Sequence, residues 1–327
     1  MRVVGGMESP GELAGLGRAA LRRAVVAAAS VALVAGLVFA TFELLADPAA
    51  LRLGRGASPE AVAALRAEMG LDRSWGTRLW GHVVGGLSFE FGVSHVRGAP
   101  AGALMARALG PTLAYALPGF VLGTVAAVLG GLAAARRRAI DRPLAALSTL
   151  LLSLSSVIVV VLAQYVLAHR LGWFPALGWP LGAEAGGVAR FVALPALVWA
   201  ALVWAPDWRH YRAVFMHEWA APHVDGLRAR GVPERRIGRH VLRAAVGPIV
   251  ARIGQRLPHV ALGSVVVEQL FNIPGLGALL VAAVHTADAA LVQAIAVATA
   301  AVTIGGQAVC DAIVWLVDPR VRRRDVP

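Results

Sequence analysis

Long apolar stretches, separated by clusters of arginine, set the pattern of the chain. Six are long enough to supply the roughly 20 helical residues that cross a bilayer core: about 24–46, 109–135, 143–168, 191–206, 246–271 and 289–317. The fourth is the shortest and carries Pro195, which reads as a break. The first follows Arg18, Arg22 and Arg23. Its apolar run of roughly 19 residues exceeds the 7–15 of a signal-peptide core, which predicts an uncleaved first span. The pattern therefore predicts an all-α integral membrane protein: a segment 1–23, a six-span domain 24–317 and a tail 318–327.

Two polar segments between spans are too long to be plain connectors. In the one at about 47–108, Ser58, Pro59 and Glu60 form a helix start. Val62, Leu65 and Met69 continue it as an amphipathic helix ending near Gly70. The one at about 207–245 reads as two short basic helices with turns at Pro222, Gly231 and Pro233. No internal repeat period is evident.

Charge orients this pattern. Arg136, Arg137, Arg138 and Arg142, the arginines of 207–245, and Arg320, Arg322, Arg323 and Arg324 fall on the same side as Arg2, Arg18, Arg22 and Arg23. The short loops opposite hold Arg170 and Arg190. By the positive-inside rule both termini are cytoplasmic and 47–108 is the outer segment. Composition agrees: 58% of residues are hydrophobic and 15% charged, against about 45–50% and 25% in soluble domains.

The net charge of +12 comes from arginine alone, since the 327 residues include no lysine. A P-loop needs its lysine ammonium on the β- and γ-phosphates, and a Schiff base needs a lysine amine, so neither chemistry belongs to this chain. The arginines flank spans, so they point to membrane lipid and topology rather than nucleic acid. The single Cys310 excludes an intramolecular disulfide framework and a cysteine-rich metal site.

Polar residues inside the spans are candidates for a solute path. Ser148, Ser153, Ser155, Ser156 and Gln164 lie in the third span; Gln293, Thr299, Thr303 and Gln307 lie in the sixth. Such residues either bond back to their own helix and glue helices together or line a polar path. Arg252, Arg256 and His259 share one face of the fifth span at i, i+4 and i+7. There they either snorkel or face a water-accessible path that meets acidic solute groups. "HEWAAPH" is not a zinc site, because His217 and His223 are six apart with Pro222 between them. No metal site and no catalytic residue is assigned.

Two stretches have a more specific spacing. The inner segment holds Arg209, Arg212 and Glu218, then "DGLRARG" with Asp225, Arg228, Arg230 and Gly231, then His240 and Pro248. A short helix turned by a glycine can lie in the membrane plane and dock in a groove of a partner. Read alone, it has the second reading of an arginine-rich loop that only sets topology, the less favoured of the two. "VVVEQLFNIPGLG" carries Glu268, Phe271, Pro274, Gly275, Leu276 and Gly277. Pro274 cannot continue a helix and the glycines adopt backbone angles other residues resist, so the fifth span ends there, with Glu268 expected close to outer water.

These stretches resemble the coupling loop and the E-x-x-F-x-x-P-G-L-G turn of ABC-transporter permeases of the dipeptide/oligopeptide/nickel importer family. "MGLDRSWGTRLWGHVVGGLSFEFGVS" and "DAIVWLVDPR" add weaker matches, with Glu90, Phe91, Gly92 and Ser94 for a G-D-x-G-x-S turn and Trp315 for Tyr. The inner loop departs from the family at Pro222, His223, Asp225, Gly226, Leu227 and Ala244. The resemblance implies a six-helix type I importer permease. It also implies a second homologous permease subunit, two ATPases that bind ATP and Mg, and an extracytoplasmic solute-binding protein. This chain would bind no cofactor, do no covalent chemistry and form half of an alternating-access path in a bacterial cell membrane. An ion-gradient-driven secondary transporter would instead show internal repeats and midplane acids. An intramembrane hydrolase would need a Ser/His pair, and none is evident.

Overall fold

The computed structural model describes residues 25–317, apart from 27, 42–48, 50–52, 54–57, 69, 89, 95 and 180–184. Helices dominate. In lipid, a backbone without water must find its hydrogen bonds inside its own segment. The helices are α1 (Ala28–Thr41), α2 (Pro59–Glu68), α3 (Trp75–Ser88), α4 (Ala101–Arg136), α5 (Arg138–Ser153), α6 (Ser156–Ala163), α7 (Ala185–Trp219), α8 (Pro222–Ala229), α9 (Glu234–Ala244), α10 (Val246–Leu262), α11 (Val265–Phe271), α12 (Leu276–His285) and α13 (Ala289–Val317). A π-helical turn, Gln164–Arg170, prolongs α6. A small antiparallel hairpin pairs β1 (Val93–Ser94) with β2 (Ala99–Pro100).

Three helices are by themselves long and apolar enough to cross a membrane, Ala101–Arg136, Gly187–Trp219 and Ala289–Val314. Two bent pairs bring the number to five if each is one crossing, and Ala28–Thr41 is shorter. Arg18, Arg22, Arg23 and the tail residues Asp318, Pro319 and Arg320 lie outside the described residues.

Three expectations need correction. Pro195 does not break the fourth segment: α7 runs unbroken through Pro195 and Pro206 for 35 residues. A proline removes one helix hydrogen bond, but in an apolar setting unwinding the whole turn costs more. The third segment is not one rod, because α5 and the helix Ser156–Arg170 meet at 106°. Leu154 and Ser155 are both extended, which turns the chain between them. The fifth is interrupted within its expected bounds: Gly263, at φ 63° and ψ −157°, separates α10 from α11. The turn after Phe271, where α12 leaves at 75° to the helix before it, lies where the sequence places the end of that span.

The chain forms two compact units, Met1–Leu104 with Ala283–Ala308, and Met105–Ala282 with Val309–Pro327. In the first, Val31, Ala35 and Val297 form a small core with Phe91 and Ile304. The α2 start is as expected: the Ser58 hydroxyl accepts from Ala61 N–H at 3.2 Å and Gly70 ends the helix at φ 67°. Ser94, fully buried, donates to Asp288, whose other oxygen accepts from Leu291 N–H. That bond ties the hairpin to the start of α13.

The second unit carries the larger cores. One gathers Tyr115, Phe120, Val160, Leu194, Trp199, Val267 and Phe271. The other gathers Trp208, Tyr211, Phe215, Trp219, Val224, Ile237 and Val241. Helices α4 and α7 approach through glycines. A Cβ at Gly119 would lie 2.5 Å from Ala196 O, and one at Gly123 would lie 2.6 Å from Ala200 O. Small residues let membrane helices pack backbone to backbone, where burial of apolar area alone gives little drive.

Candidate functional site

The turn after α11 is built around a buried carboxylate. Glu268 has no exposed surface, so the expected position near water is wrong. One carboxylate oxygen accepts from Thr112 Oγ1 at 2.7 Å and from Tyr115 OH at 3.3 Å. The other accepts from Ala278 N–H at 2.8 Å, in the first turn of α12. The donors are themselves fixed: Thr112 Oγ1 accepts from Leu276 N–H at 2.8 Å, and Tyr115 OH accepts from Ser264 N–H at 2.7 Å. A helix N-terminus leaves N–H groups unmet, and here Glu268 and Thr112 meet two of them.

The motif residues follow from this closure. Asn272, at φ 55°, ends α11 in the left-handed conformation, and Ile273 N–H returns to Glu268 C=O at 2.8 Å. A side chain at Gly275 would collide with the Glu268 carboxylate. A Cβ at Gly277 would come within 3.0 Å of Val265 Cα. Phe271 fills the core below. Pro274 is exposed at the turn. The E-x-x-F-x-x-P-G-L-G spacing thus closes a chain reversal onto its own acid. Sequence reasoning missed Thr112, Tyr115, Gly263 and Ser264. The first two are polar residues three apart in an apolar helix, hence on one face, and that was the available signal.

A second buried acid lies at Asp207 on α7, 1% exposed. Its Oδ1 accepts from Arg252 Nε at 2.9 Å and from Arg256 Nε and Nη2 at 3.1 and 2.9 Å. Oδ2 has no hydrogen-bond partner among the described residues. The cationic face predicted on the fifth span exists, and it meets an acid of this chain that the sequence reading passed over. The Arg252 and Arg256 pair was the signal, because two arginines on one buried face require an anion. Beside them is a pocket of about 210 Å³ lined by Phe120, Ser156, Trp199, Arg256, His259 and Ser264, among others.

The other polar candidates divide. Ser153, Thr299 and Thr303 bond back to their own helices. Gln164 donates to Ala176 O and Leu270 O, and Ser148 donates to Ala205 O. Those contacts glue segments together.

The inner stretch begins inside a helix. At about 1.5 Å per residue a 35-residue helix is roughly 52 Å long, against about 30 Å of hydrocarbon, so the end of α7 outruns a membrane core. Arg209 and Arg212 lie on this end and bond to α5: Arg209 to Ser148 and Thr149, Arg212 to both oxygens of Asp141. Glu218 is in the last turn. After it, α8 opens with Pro222, Gly231 turns at φ 71°, and α9 returns. Val224, Ile237 and Val241 are buried against Phe215 and Trp219. Outward lie Asp225, Arg228, Arg230, Arg235, Arg236, Arg239 and His240, all exposed, as is Pro248 on α10. His217 and His223 sit on different helices, α7 and α8.

Comparison with known proteins identifies the family. Residues 119–323 match the family described as binding-protein-dependent transport system inner membrane component. A Brucella abortus (strain 2308) protein, provisionally named a peptide transport system permease, is 31% identical over 307 residues, 92% of this chain and 98% of its own length. The glutathione transport system permease protein GsiC of Salmonella typhimurium (strain LT2) is 32% identical over 266 residues, 80% of this chain and 85% of its own. The chain belongs to the binding-protein-dependent transport system inner membrane component family, and is a multi-pass permease subunit of an ABC importer in a bacterial inner membrane.

Proposed function

We propose that this subunit supplies half of the path by which an ATP-driven importer moves peptides or a similar small solute, nickel complexes included, by alternating access. It spans the membrane six times with both termini inside. A second homologous permease supplies the other half, two ATPases hydrolyse ATP with Mg, and an extracytoplasmic binding protein delivers the solute. The path is lined on this side by residues of the bent third and fifth segments, among them Ser156, Arg252, Arg256 and His259. The peptide and glutathione relatives support the solute class.

The observation that carries this reading is the elbow of α8 and α9. Its apolar face is locked to the end of α7 through Trp219, Val224 and Ile237, and its charged face is open. A push on α8 therefore moves α7, which bears the buried Asp207 higher up. Rigid coupling needs the turn at Gly231, where a β-branched residue would be strained at φ 71°. In proteoliposomes holding the full importer, Gly231→Val should cut ATP-driven uptake by about tenfold or more while membrane insertion stays intact. Uptake at the wild-type rate would refute the assignment of the elbow.

A further inference from the structure

The pocket between α4, α6, α7 and α10 has one chemical character at its walls and another at its end. Phe120, Trp199, Leu202, Val203 and Val260 are apolar, while Arg256, His259, Ser156 and Ser264 add polar groups. No acid is among the residues that line it. Two guanidiniums share the single carboxylate of Asp207, so one positive charge there has no counter-ion among the described residues. Arg256 uses Nε and Nη2 on Asp207, which fixes the plane of its fork and leaves Nη1 without a hydrogen bond among the described residues. Trp199, 7% exposed, also lines the pocket, and its indole N–H has no partner among the described residues. A buried donor left unmet costs about 1–3 kcal/mol, so a ligand acceptor that reaches it gains correspondingly.

From these groups we infer that the pocket is a subsite for the carboxylate end of a solute whose last residue is apolar. The inference rests on the importer reading and gives it a solute class. Its volume of about 210 Å³ is below the roughly 300–1,000 Å³ that buries a whole small ligand. It therefore takes one end of the solute and leaves the rest outside. Arg256 binds the carboxylate, Asp207 holds Arg256 in position, the indole N–H of Trp199 supplies a second donor, and the apolar walls take the terminal side chain. A guanidinium already oriented by a carboxylate loses less side-chain freedom on binding than a free one.

The test uses the assembled importer in lipid nanodiscs and a photoreactive dipeptide, alanyl-(p-benzoyl)phenylalanine, as the free acid and as its C-terminal amide. Labelled peptides are mapped by mass spectrometry. The free acid should label segments carrying Phe120, Trp199 or Val260 about tenfold more than the amide, the ratio expected for one charge-assisted contact. Arg256→Gln should bring the acid down to the amide. Trp199→Phe, which keeps the ring and drops the N–H, should lower acid labelling about threefold and leave the amide where it was. Equal labelling by acid and amide would overturn the subsite. So would a bound phospholipid at these segments that the free acid does not displace. Labelling needs no ATP turnover, so failed ATP-driven uptake in parallel proteoliposomes would count against the importer reading alone.

Discussion

Glu268 and Asp207 are both buried carboxylates of the same unit, and they are held in opposite ways. Glu268 is met by two hydroxyls and a backbone N–H, with both oxygens in use. Glycines stand where any side chain would strike it. Asp207 is met by two guanidiniums on flexible stems, 23% and 20% exposed, and one of its oxygens has no partner among the described residues. Neutral donors fixed in the backbone and in packed side chains leave nothing to exchange, so the first site is a clamp. Oriented cations with charge to spare can take a further anion, so the second is the one of the two fitted to meet a ligand.

The largest effect should come from crowding the clamp. Gly263→Val puts a β-branched side chain at φ 63° and into Tyr115 OH and the Glu268 carboxylate; Gly275→Val drives into the same carboxylate. Strain and overpacking of this kind cost several kcal/mol together, about 3 or more. Either variant should insert but fail to give a monodisperse peak in size-exclusion chromatography. Gly226→Ala, with nothing within 4 Å of the new Cβ, should behave as wild type. A monodisperse Gly275→Val variant would show that the carboxylate is not clamped.

Next come the acids themselves, and here the two sites should separate. Asp207→Asn leaves two guanidiniums without their counter-charge, a loss of about 3 kcal/mol for a buried pair. The melting temperature of the purified subunit should fall by about 6 °C or more. Sulfate should recover part of that loss by supplying an anion. Glu268→Gln keeps the shape but turns one amide N–H₂ toward a donor, which costs about 1–3 kcal/mol, and sulfate should not rescue it. Equal rescue of both variants would remove the distinction between clamp and anion site.

Local signals carried much of this far. Ser58 and Pro59 marked the start of α2, and Pro222 and Gly231 marked the elbow, because caps and turns are set by residues close in sequence. The acids were misread or missed for the complementary reason. Glu268 is buried by Thr112 and Tyr115, which stand 156 and 153 residues away. Asp207 is claimed by arginines 45 and 49 residues on. At a span end the sequence offers water as the cheapest partner for a carboxylate, and only packing reveals a drier one. The unbroken α7 has the same origin: propensity favours a break at Pro195, and the surrounding helices outweigh it.

The smallest effect should come from the elbow's own charge cluster, which has the same ingredients as the Asp207 site in the open. Arg228 bonds to Glu234 Oε1 at 3.1 Å and to Asp225 Oδ1 at 3.2 Å, and all three side chains are 45% exposed or more. The hydrogen bond that Arg228 donates to Glu234, then the charge of Glu234 and the contacts with Asp225, hold the Arg228 guanidinium above its ordinary pKa. It is charged with or without them, so the cluster adds no pH dependence near neutrality. Water already solvates each ion, so removing one leaves no uncompensated buried charge. Arg228→Gln should melt within about 1 °C of wild type, in sulfate or without it. If Arg228→Gln lowered the melting temperature as far as Asp207→Asn does, burial would not be what distinguishes the two clusters, and the count of paired ions alone would set their stability.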